Sequence, residues 1–148
     1  MTFVLSLFPG IGLLDQAFEE EGFCVVRGPD LLWGGDVRTF RVPAGVFDGV
    51  IGGPPCQAFS RARHIVGSSK VDLIPEFVRV VREAAPRWSV MENVRGTQGH
   101  PDIPSDWYPL VIRDWDVGGE TYDPLRKLAQ DYGCAYSTIQ WHCDRLAR

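Results

Sequence analysis

The chain has 148 residues, of which 45% are hydrophobic and 23% are charged, and its formal net charge is −4. This length and composition predict one compact domain with at most a small appendage, while the net charge by itself argues against a polyanionic partner. The four cysteines form neither a closely spaced disulfide framework nor a paired Cys-x-x-Cys metal site, so we expect a reducing, cytoplasmic setting and no bound metal. We expect no signal peptide and no membrane span, because the first apolar run stops at Pro9 and Gly10 and no later run is longer.

Strand and helix patterns alternate over the first hundred residues. Short apolar runs predict strands, and apolar side chains at three- and four-residue spacing predict helices. The predicted order is strand 3–8, helix 11–21, strand 23–26, strand 47–51, helix 73–84 and strand 88–91. Leu13, Leu14, Ala17 and Phe18 share one face of the first helix, and Asp72 is a candidate cap for the second. This alternation predicts an α/β fold with a parallel, doubly wound sheet, whose ligands bind beyond the carboxyl ends of the strands.

The turn after the first strand contains Gly10 and Gly12. Glycines between a strand and a helix let the backbone approach a ligand and point free N–H groups at a negative group, although a simple tight turn is the alternative. Asp30 follows the second strand, where an acidic side chain often accepts hydrogen bonds from ribose hydroxyls, and Asp36 comes shortly after it. Each acid could equally be a solvated loop residue.

Cys56 stands in the segment Gly-Gly-Pro-Pro-Cys-Gln, residues 52–57. The prolines end the preceding strand because they cannot continue sheet pairing. A cysteine on such a rigid turn is accessible, and it would act as a nucleophile if a dipole, a cation or substrate protonation assisted it. The alternative, a small core hydrophobe, fits Cys24 better than Cys56.

Glu92 stands at the end of an otherwise apolar strand, in the segment Met-Glu-Asn-Val. Burial of a carboxyl group disfavours its charged form, so we expect a raised pKa that would suit a general acid. A carboxylate that caps the following turn is the alternative.

Three segments, in this order and at suitable separations, resemble the first, fourth and sixth motifs of DNA cytosine-5 methyltransferases. They are residues 5–12 (Leu-Ser-Leu-Phe-Pro-Gly-Ile-Gly), residues 53–57 (Gly-Pro-Pro-Cys-Gln) and residues 92–94 (Glu-Asn-Val). The resemblance covers residues 3–95. It implies a Rossmann-like methyltransferase fold that uses S-adenosylmethionine, here incomplete and followed by a short helical tail.

The resemblance also implies roles for individual residues. Cys56 would add to C6 of a flipped-out cytosine in DNA, while Glu92 would hydrogen-bond to N3 or protonate it. The implied cofactor-binding residues are Phe8, Gly10, Gly12, Leu13, Asp30, Asp36, Val37 and Pro54. The implied DNA contacts are Gln57, Ser60, Arg61 and Arg63. Residues 57–70 contain basic side chains and no acidic one, which suits phosphate contact, although a solvated loop is equally compatible.

The family pattern continues past Glu-Asn-Val with a Gln-Arg-x-Arg-like motif, a target-recognition region and a late helix containing Gly-Asn. None of these is found, and Asp123-Pro124 stands where the arginines are expected. The second hypothesis is therefore an impaired or split methyltransferase subunit that binds DNA, with a second chain supplying target recognition. A dehydrogenase-like protein is a weaker alternative, because the first turn lacks a full G-x-G-x-x-G run.

The remaining residues show no period at 100–119 and a helical pattern after residue 124. Ala129, Gly133 and Ile139 are spaced as in helix-turn-helix units, which would put Ser137, Thr138, Gln140 and His142 on or near a recognition helix. A plain helical hairpin is the alternative. We accordingly predict a catalytic core at 1–119 and a helical tail at 120–148.

Overall fold

A computed structural model describes residues 1–56, Phe59, residues 71–111 and residues 139–144. This part of the chain contains two α-helices, α1 (Leu13–Glu20) and α2 (Ile74–Ala84). Its strands are β1 (Phe3–Leu7), β2 (Cys24–Arg27), β3 (Gly49–Gly52), β4 (Trp88–Asn93), β5 (Tyr108–Val111) and β6 (Ile139–Asp144). Every strand and helix predicted in the first hundred residues is present, with ends shifted by a few residues.

The six strands form one sheet in the order β2-β1-β3-β4-β6-β5. Strands β1 to β4 are parallel, and β6 is antiparallel to both of its neighbours. The chain moves outward from β1 to β2 and then returns to place β3 on the other side of β1. Such a reversal opens a crevice beyond the carboxyl ends of the central strands. The predicted doubly wound α/β sheet is confirmed.

Alternating side chains of the parallel strands supply two apolar cores, one on each face of the sheet. Leu5, Leu7 and Val50 pack with buried side chains of α2 on one face. Val4, Ile51 and Val90 pack with Phe18 of α1 on the other. This two-residue period is the expected property of extended chain, and it explains why the strands read as continuous apolar runs.

The buried face of α1 differs from the prediction. Leu13 is 66% exposed, whereas Asp15 is completely buried. Asp15 accepts a hydrogen bond from the Ser6 hydroxyl and one from Nε of Arg27, 2.9 Å away. A carboxylate tolerates burial when it is paired and hydrogen-bonded in this way, so α1 lies against the sheet through a polar contact as well as through Phe18.

The start of α2 also differs slightly from the prediction. Leu73 occupies the N-cap position, and Asp72 lies one residue earlier, where its Oδ1 accepts a hydrogen bond from the backbone N–H of Ile74 over 3.0 Å. The helix ends where Ala85 adopts a left-handed conformation, just before Pro86. Among the described helices, none is long and apolar enough to cross a membrane.

The last two strands were not predicted. Strand β5 lies in the stretch without a period, and β6 contains Gln140 and His142, so the interpretation that these two residues lie on or near a helix is wrong. Strand β6 pairs with β4 along its whole length. It supplies hydrogen-bond partners for backbone N–H and C=O groups on the edge of β4 that does not face β3. The rest of the predicted tail, Ser137 and Thr138 included, and the division at residue 119 lie outside the described residues.

Candidate active site

A cleft of about 620 Å³ opens beyond the carboxyl ends of β1 to β4. The loops after all four parallel strands contribute to its wall. Eight of the residues singled out in the sequence line it: Phe8, Gly10, Asp30, Asp36, Val37, Pro54, Cys56 and Glu92. The volume lies within the range of about 300–1,000 Å³ that is typical of small-molecule sites.

Gly12 and Leu13 do not line this cleft. Gly12 is the N-cap residue of α1 in a left-handed conformation (φ 82°), and Leu13 begins the helix with its side chain largely in solvent. Phe8 and Gly10 line the cleft because they precede the helix. Gly12 and Leu13 lie at the start of α1, outside the cleft wall.

Asp30 connects the loops that follow β1 and β2. Its Oδ2 accepts a hydrogen bond from the N–H of Gly10 over 2.9 Å, and its Oδ1 accepts one from the N–H of Leu32 over 2.8 Å. Each carboxylate oxygen has a further lone pair, so this side chain can still accept hydrogen bonds from the hydroxyls of a ligand. Phe8 lines the same part of the cleft with an unusual positive φ of 57°.

Asp36 forms a two-point ion pair with Arg38, a residue that the sequence analysis missed. Nε and Nη2 of Arg38 lie 2.9 Å and 2.6 Å from the two carboxylate oxygens. The hydrogen bonds from Arg38 hold the pKa of Asp36 below its ordinary value. Both side chains line the cleft, and the Asp-x-Arg spacing was the signal that could have identified the pair.

Cys56, on the loop after β3, and Glu92, in the neighbouring parallel strand β4, both line the cleft. Both residues are partly buried. The Glu92 carboxylate lies against Gly53, where a Cβ atom would come within 2.8 Å of Oε2. Glycine at this position therefore leaves room for the carboxylate at the end of β3.

Asn93, the last residue of β4, joins this strand to the loop after β3. Its side chain is almost completely buried, its Nδ2 donates to the carbonyl oxygen of Pro54 over 3.0 Å, and its Oδ1 accepts from the N–H of Val94 over 2.9 Å. Asn93 is not among the site residues predicted from the sequence. A buried amide at the end of an apolar strand was the available signal, because such a group needs hydrogen-bond partners.

A thiol and a carboxyl group on one wall of the cleft form a possible pair of nucleophile and proton donor. Asp30 and the backbone of Gly10, on the loops after β2 and β1, suit a polar small molecule with hydroxyl groups. Gln57, Ser60, Arg61 and Arg63 lie outside the described residues, so their predicted contacts with DNA remain predictions.

Residues 34–104 match a family model described as C-5 cytosine-specific DNA methylase. The chain is 30% identical to Type II methyltransferase M.FnuDI of Fusobacterium nucleatum, over 89% of this chain and 43% of that protein. It is 31% identical to Type II methyltransferase M.NgoPII of Neisseria gonorrhoeae, over 89% of this chain and 44% of that protein. The chain thus spans less than half the length of these relatives.

The fold is also found in a solved structure. Entamoeba histolytica methyltransferase EhMeth matches 100% of this chain and 54% of its own, with a TM-score of 0.59 and 14% sequence identity. This likeness concerns the fold alone. The family match, which spans Cys56 and Glu92, and the two relatives lead to one conclusion: the chain belongs to the C-5 cytosine-specific DNA methylase family.

Proposed function

We propose that this chain carries the catalytic half of a DNA cytosine-5 methyltransferase, which transfers a methyl group from S-adenosylmethionine to cytosine. The observation that carries the proposal is the arrangement of Cys56 and Glu92. Cys56 lies on the loop after β3 and Glu92 on the adjacent parallel strand β4. Both border one cleft, and the hydrogen bond from Asn93 to Pro54 joins that loop to that strand. A thiol and a carboxyl group that border the same cleft can act on one bound base.

In the proposed reaction a cytosine leaves the DNA stack and enters the cleft, since its reacting atoms are inaccessible inside a duplex. The Cys56 thiolate forms a bond from Sγ to C6, and Glu92 donates a proton or a hydrogen bond to N3. Electron density from the C5–C6 double bond then becomes available at C5, which would take the methyl group and leave the cofactor as the neutral thioether. Loss of the proton from C5 to a base expels the Cys56 thiolate from C6, and any proton taken up by N3 returns to Glu92, leaving 5-methylcytosine.

Several residues of the cleft support S-adenosylmethionine as the cofactor. Phe8 and Val37 offer apolar surface, Asp30 has free lone pairs for ribose hydroxyls, and Gly10 and Pro54 complete the wall. When bound, the cofactor would supply an electrophilic methyl group. Asp36, an implied cofactor-binding residue, is already paired with Arg38, so we expect both side chains to border the adenine ring of the cofactor.

A second candidate is a split or impaired subunit that binds DNA and depends on another chain. It is favoured by Asp123 and Pro124, which stand where the family's arginine motif is expected. In that case the partner would supply target recognition and the arginine-rich motif. Either function acts on DNA, and we place it in the cytoplasm of a bacterial or phage-infected cell.

The decisive experiment traps the proposed covalent intermediate. The purified chain is incubated with radiolabelled S-adenosylmethionine and DNA containing 5-fluorocytosine, whose C5–F bond blocks the last step. We expect a labelled protein–DNA adduct that survives denaturation. Cys56→Ser should abolish it, whereas Cys24→Ser, a partly buried thiol outside the cleft, should not.

Failure of the folded chain to form any adduct would contradict activity of this chain alone. The second candidate then predicts retained DNA binding in a gel-shift assay, in both the original chain and Cys56→Ser. Absence of both the adduct and DNA binding would overturn both candidate functions.

A further inference from the structure

His100 contacts Phe59, which follows Cys56 closely in the sequence, and Asp72, which precedes the N-cap residue of α2. Its Nε2 is 2.8 Å from Oδ2 of Asp72, and its ring meets the Phe59 ring edge-on with centroids 5.4 Å apart. The His100 side chain is only 10% exposed, so both contacts are largely shielded from water. The His100 imidazole therefore joins Phe59 to Asp72.

The hydrogen-bond pattern defines the tautomer of His100. Nδ1 accepts a hydrogen bond from the backbone N–H of Asp102 over 3.2 Å, so this nitrogen carries no proton. Nε2 then carries the proton and donates it to Asp72. The imidazole is held by two directional contacts, which set its orientation toward Phe59.

Phe59 is in turn connected to Cys56. Its backbone N–H donates to the carbonyl oxygen of Cys56 over 2.9 Å, which closes a turn. Its carbonyl oxygen lies against Gly96, where a Cβ atom would come within 2.4 Å of it. Gly96 and His100 belong to the same stretch after β4, so that stretch holds Phe59 from two sides.

The other end of the connection is anchored in α2. Asp72 accepts the first hydrogen bond of the helix start through Oδ1 while Oδ2 binds His100. Ile74 and Phe77 of α2 are completely buried in the core. His100 thus links a rigid helix to the turn that begins at Cys56.

We propose that His100 is a positioning residue, which holds the Cys56 thiol in place through Phe59 without touching the substrate. The importance of this role for methyl transfer rests on the proposed function. The ligand atoms of Asp72, His100 and Asp102 also lie within 4.8 Å of one another, as a metal site would require. Both ring nitrogens are already hydrogen-bonded, however, and this favours a hydrogen-bonded link.

The first test needs no enzymatic activity. Alkylation of Cys56 and Cys24 by iodoacetamide is followed by mass spectrometry in the original chain and in His100→Ala. We expect Cys56 to react several-fold faster in the variant, because its turn is released, and Cys24 to react at the original rate. Equal acceleration of both thiols would mean general loosening and would overturn a specific role for His100.

Two matched variants separate the ring contact from the hydrogen bond. His100→Gln keeps an amide donor near Asp72 but lacks the ring that meets Phe59, so we expect Cys56 to react faster than in the original chain. Asp102→Ala removes a neighbouring carboxylate but keeps the backbone N–H that binds Nδ1, so we expect no change. A Gln variant in which Cys56 reacts at the original rate would contradict a link through the His100 ring.

Asp72→Asn provides a test that spares the fold. Its amide oxygen can still accept from Ile74, while its NH₂ group faces His100 and cannot accept the proton on Nε2. This variant should also accelerate alkylation of Cys56 and not of Cys24. An unchanged Cys56 rate in a folded Asp72→Asn protein would overturn the proposal, even if His100→Ala does not fold.

The adduct assay adds the catalytic readout. A 1 Å misplacement of a reacting group can cost about 10²-fold in rate, so we expect adduct formation by His100→Ala to slow by roughly that factor. DNA affinity should stay unchanged, which separates positioning from binding. If the original chain forms no adduct, the proposed function fails, whereas the alkylation results still decide whether His100 positions Cys56.

Discussion

Asn93 binds Pro54 through a hydrogen bond of 3.0 Å that joins the end of β4 to the loop after β3. The two residues are 39 positions apart in the sequence, and both are buried. A buried carbonyl oxygen that loses its donor is costly, because water does not replace the lost partner. This hydrogen bond therefore connects the loop that carries Cys56 to the strand that carries Glu92.

Asn93→Ala should destabilise the protein by about 1–3 kcal/mol, the penalty for leaving a buried polar group unpaired. Urea unfolding followed by circular dichroism measures the change. Gln98→Ala, an exposed side chain in the next turn, is the matched control and should change stability by less than about 0.5 kcal/mol. Equal stability of the two variants would show that the Asn93 hydrogen bond contributes little.

Gly53→Ala should displace the Glu92 carboxylate. The backbone at Gly53 does not adopt a positive φ, so alanine is conformationally acceptable, but its Cβ would lie 2.8 Å from Oε2 of Glu92. We expect adduct formation to fall by about 10²-fold, as for other small displacements of a reacting group. The Cys56 alkylation rate, measured in parallel, should be unchanged. An unaltered adduct rate would contradict a role for the Glu92 position.

Arg38→Ala should raise the pKa of Asp36. In the native protein the hydrogen bonds from Arg38 favour the charged carboxylate and hold this pKa below its ordinary value. The stabilising pairing is thus complete above the ordinary carboxyl range, and it is lost as the pH falls through the lowered pKa. Removal of Arg38 should return the titration of Asp36 toward ordinary values.

An NMR titration of the Asp36 carboxyl carbon measures this shift. Arg41→Ala is the control, because the Arg41 guanidinium donates to the backbone carbonyl groups of Arg38 and Phe40. Its removal should leave the Asp36 titration in place. A pKa of Asp36 that is equal in the original chain and in Arg38→Ala would refute the assigned cause.

Arg27→Ala should destabilise the packing of α1 on the sheet. Asp15 is completely buried, and this substitution would leave its carboxylate with the Ser6 hydroxyl but without its ion-pair partner. We expect a loss of about 1–3 kcal/mol, less than for a fully buried pair because Arg27 is partly exposed. Thermal unfolding gives the comparison.

The control for this prediction is Glu19→Ala. Glu19 lies 4.0 Å from Arg27 on the surface, and an exposed pair of this kind contributes at most about 1 kcal/mol. A loss of stability in Glu19→Ala as large as in Arg27→Ala would mean that surface charge, and not the buried Asp15 contact, dominates.

Local patterns were sufficient for most of the fold, and two of their failures have the same cause. The burial of Asp15 depends on Ser6 and Arg27, which lie nine and twelve residues away, so a helical pattern of apolar residues could not reveal it. Strand β6 depends on pairing with β4, and the order of residues 139–144 alone is compatible with a helix. In both cases distant partners decided the outcome.

The sequence by itself determined the alternation of strands and helices, the turn residues that end each strand, and the motifs that bear Cys56 and Glu92. These depend on periodicity and on the conformational limits of glycine and proline, which act over a few residues. Only the tertiary structure decided which side chains meet, such as Asn93 with Pro54 and His100 with Phe59. Such contacts depend on strand register and on the paths of loops, and therefore on residues far apart in the chain.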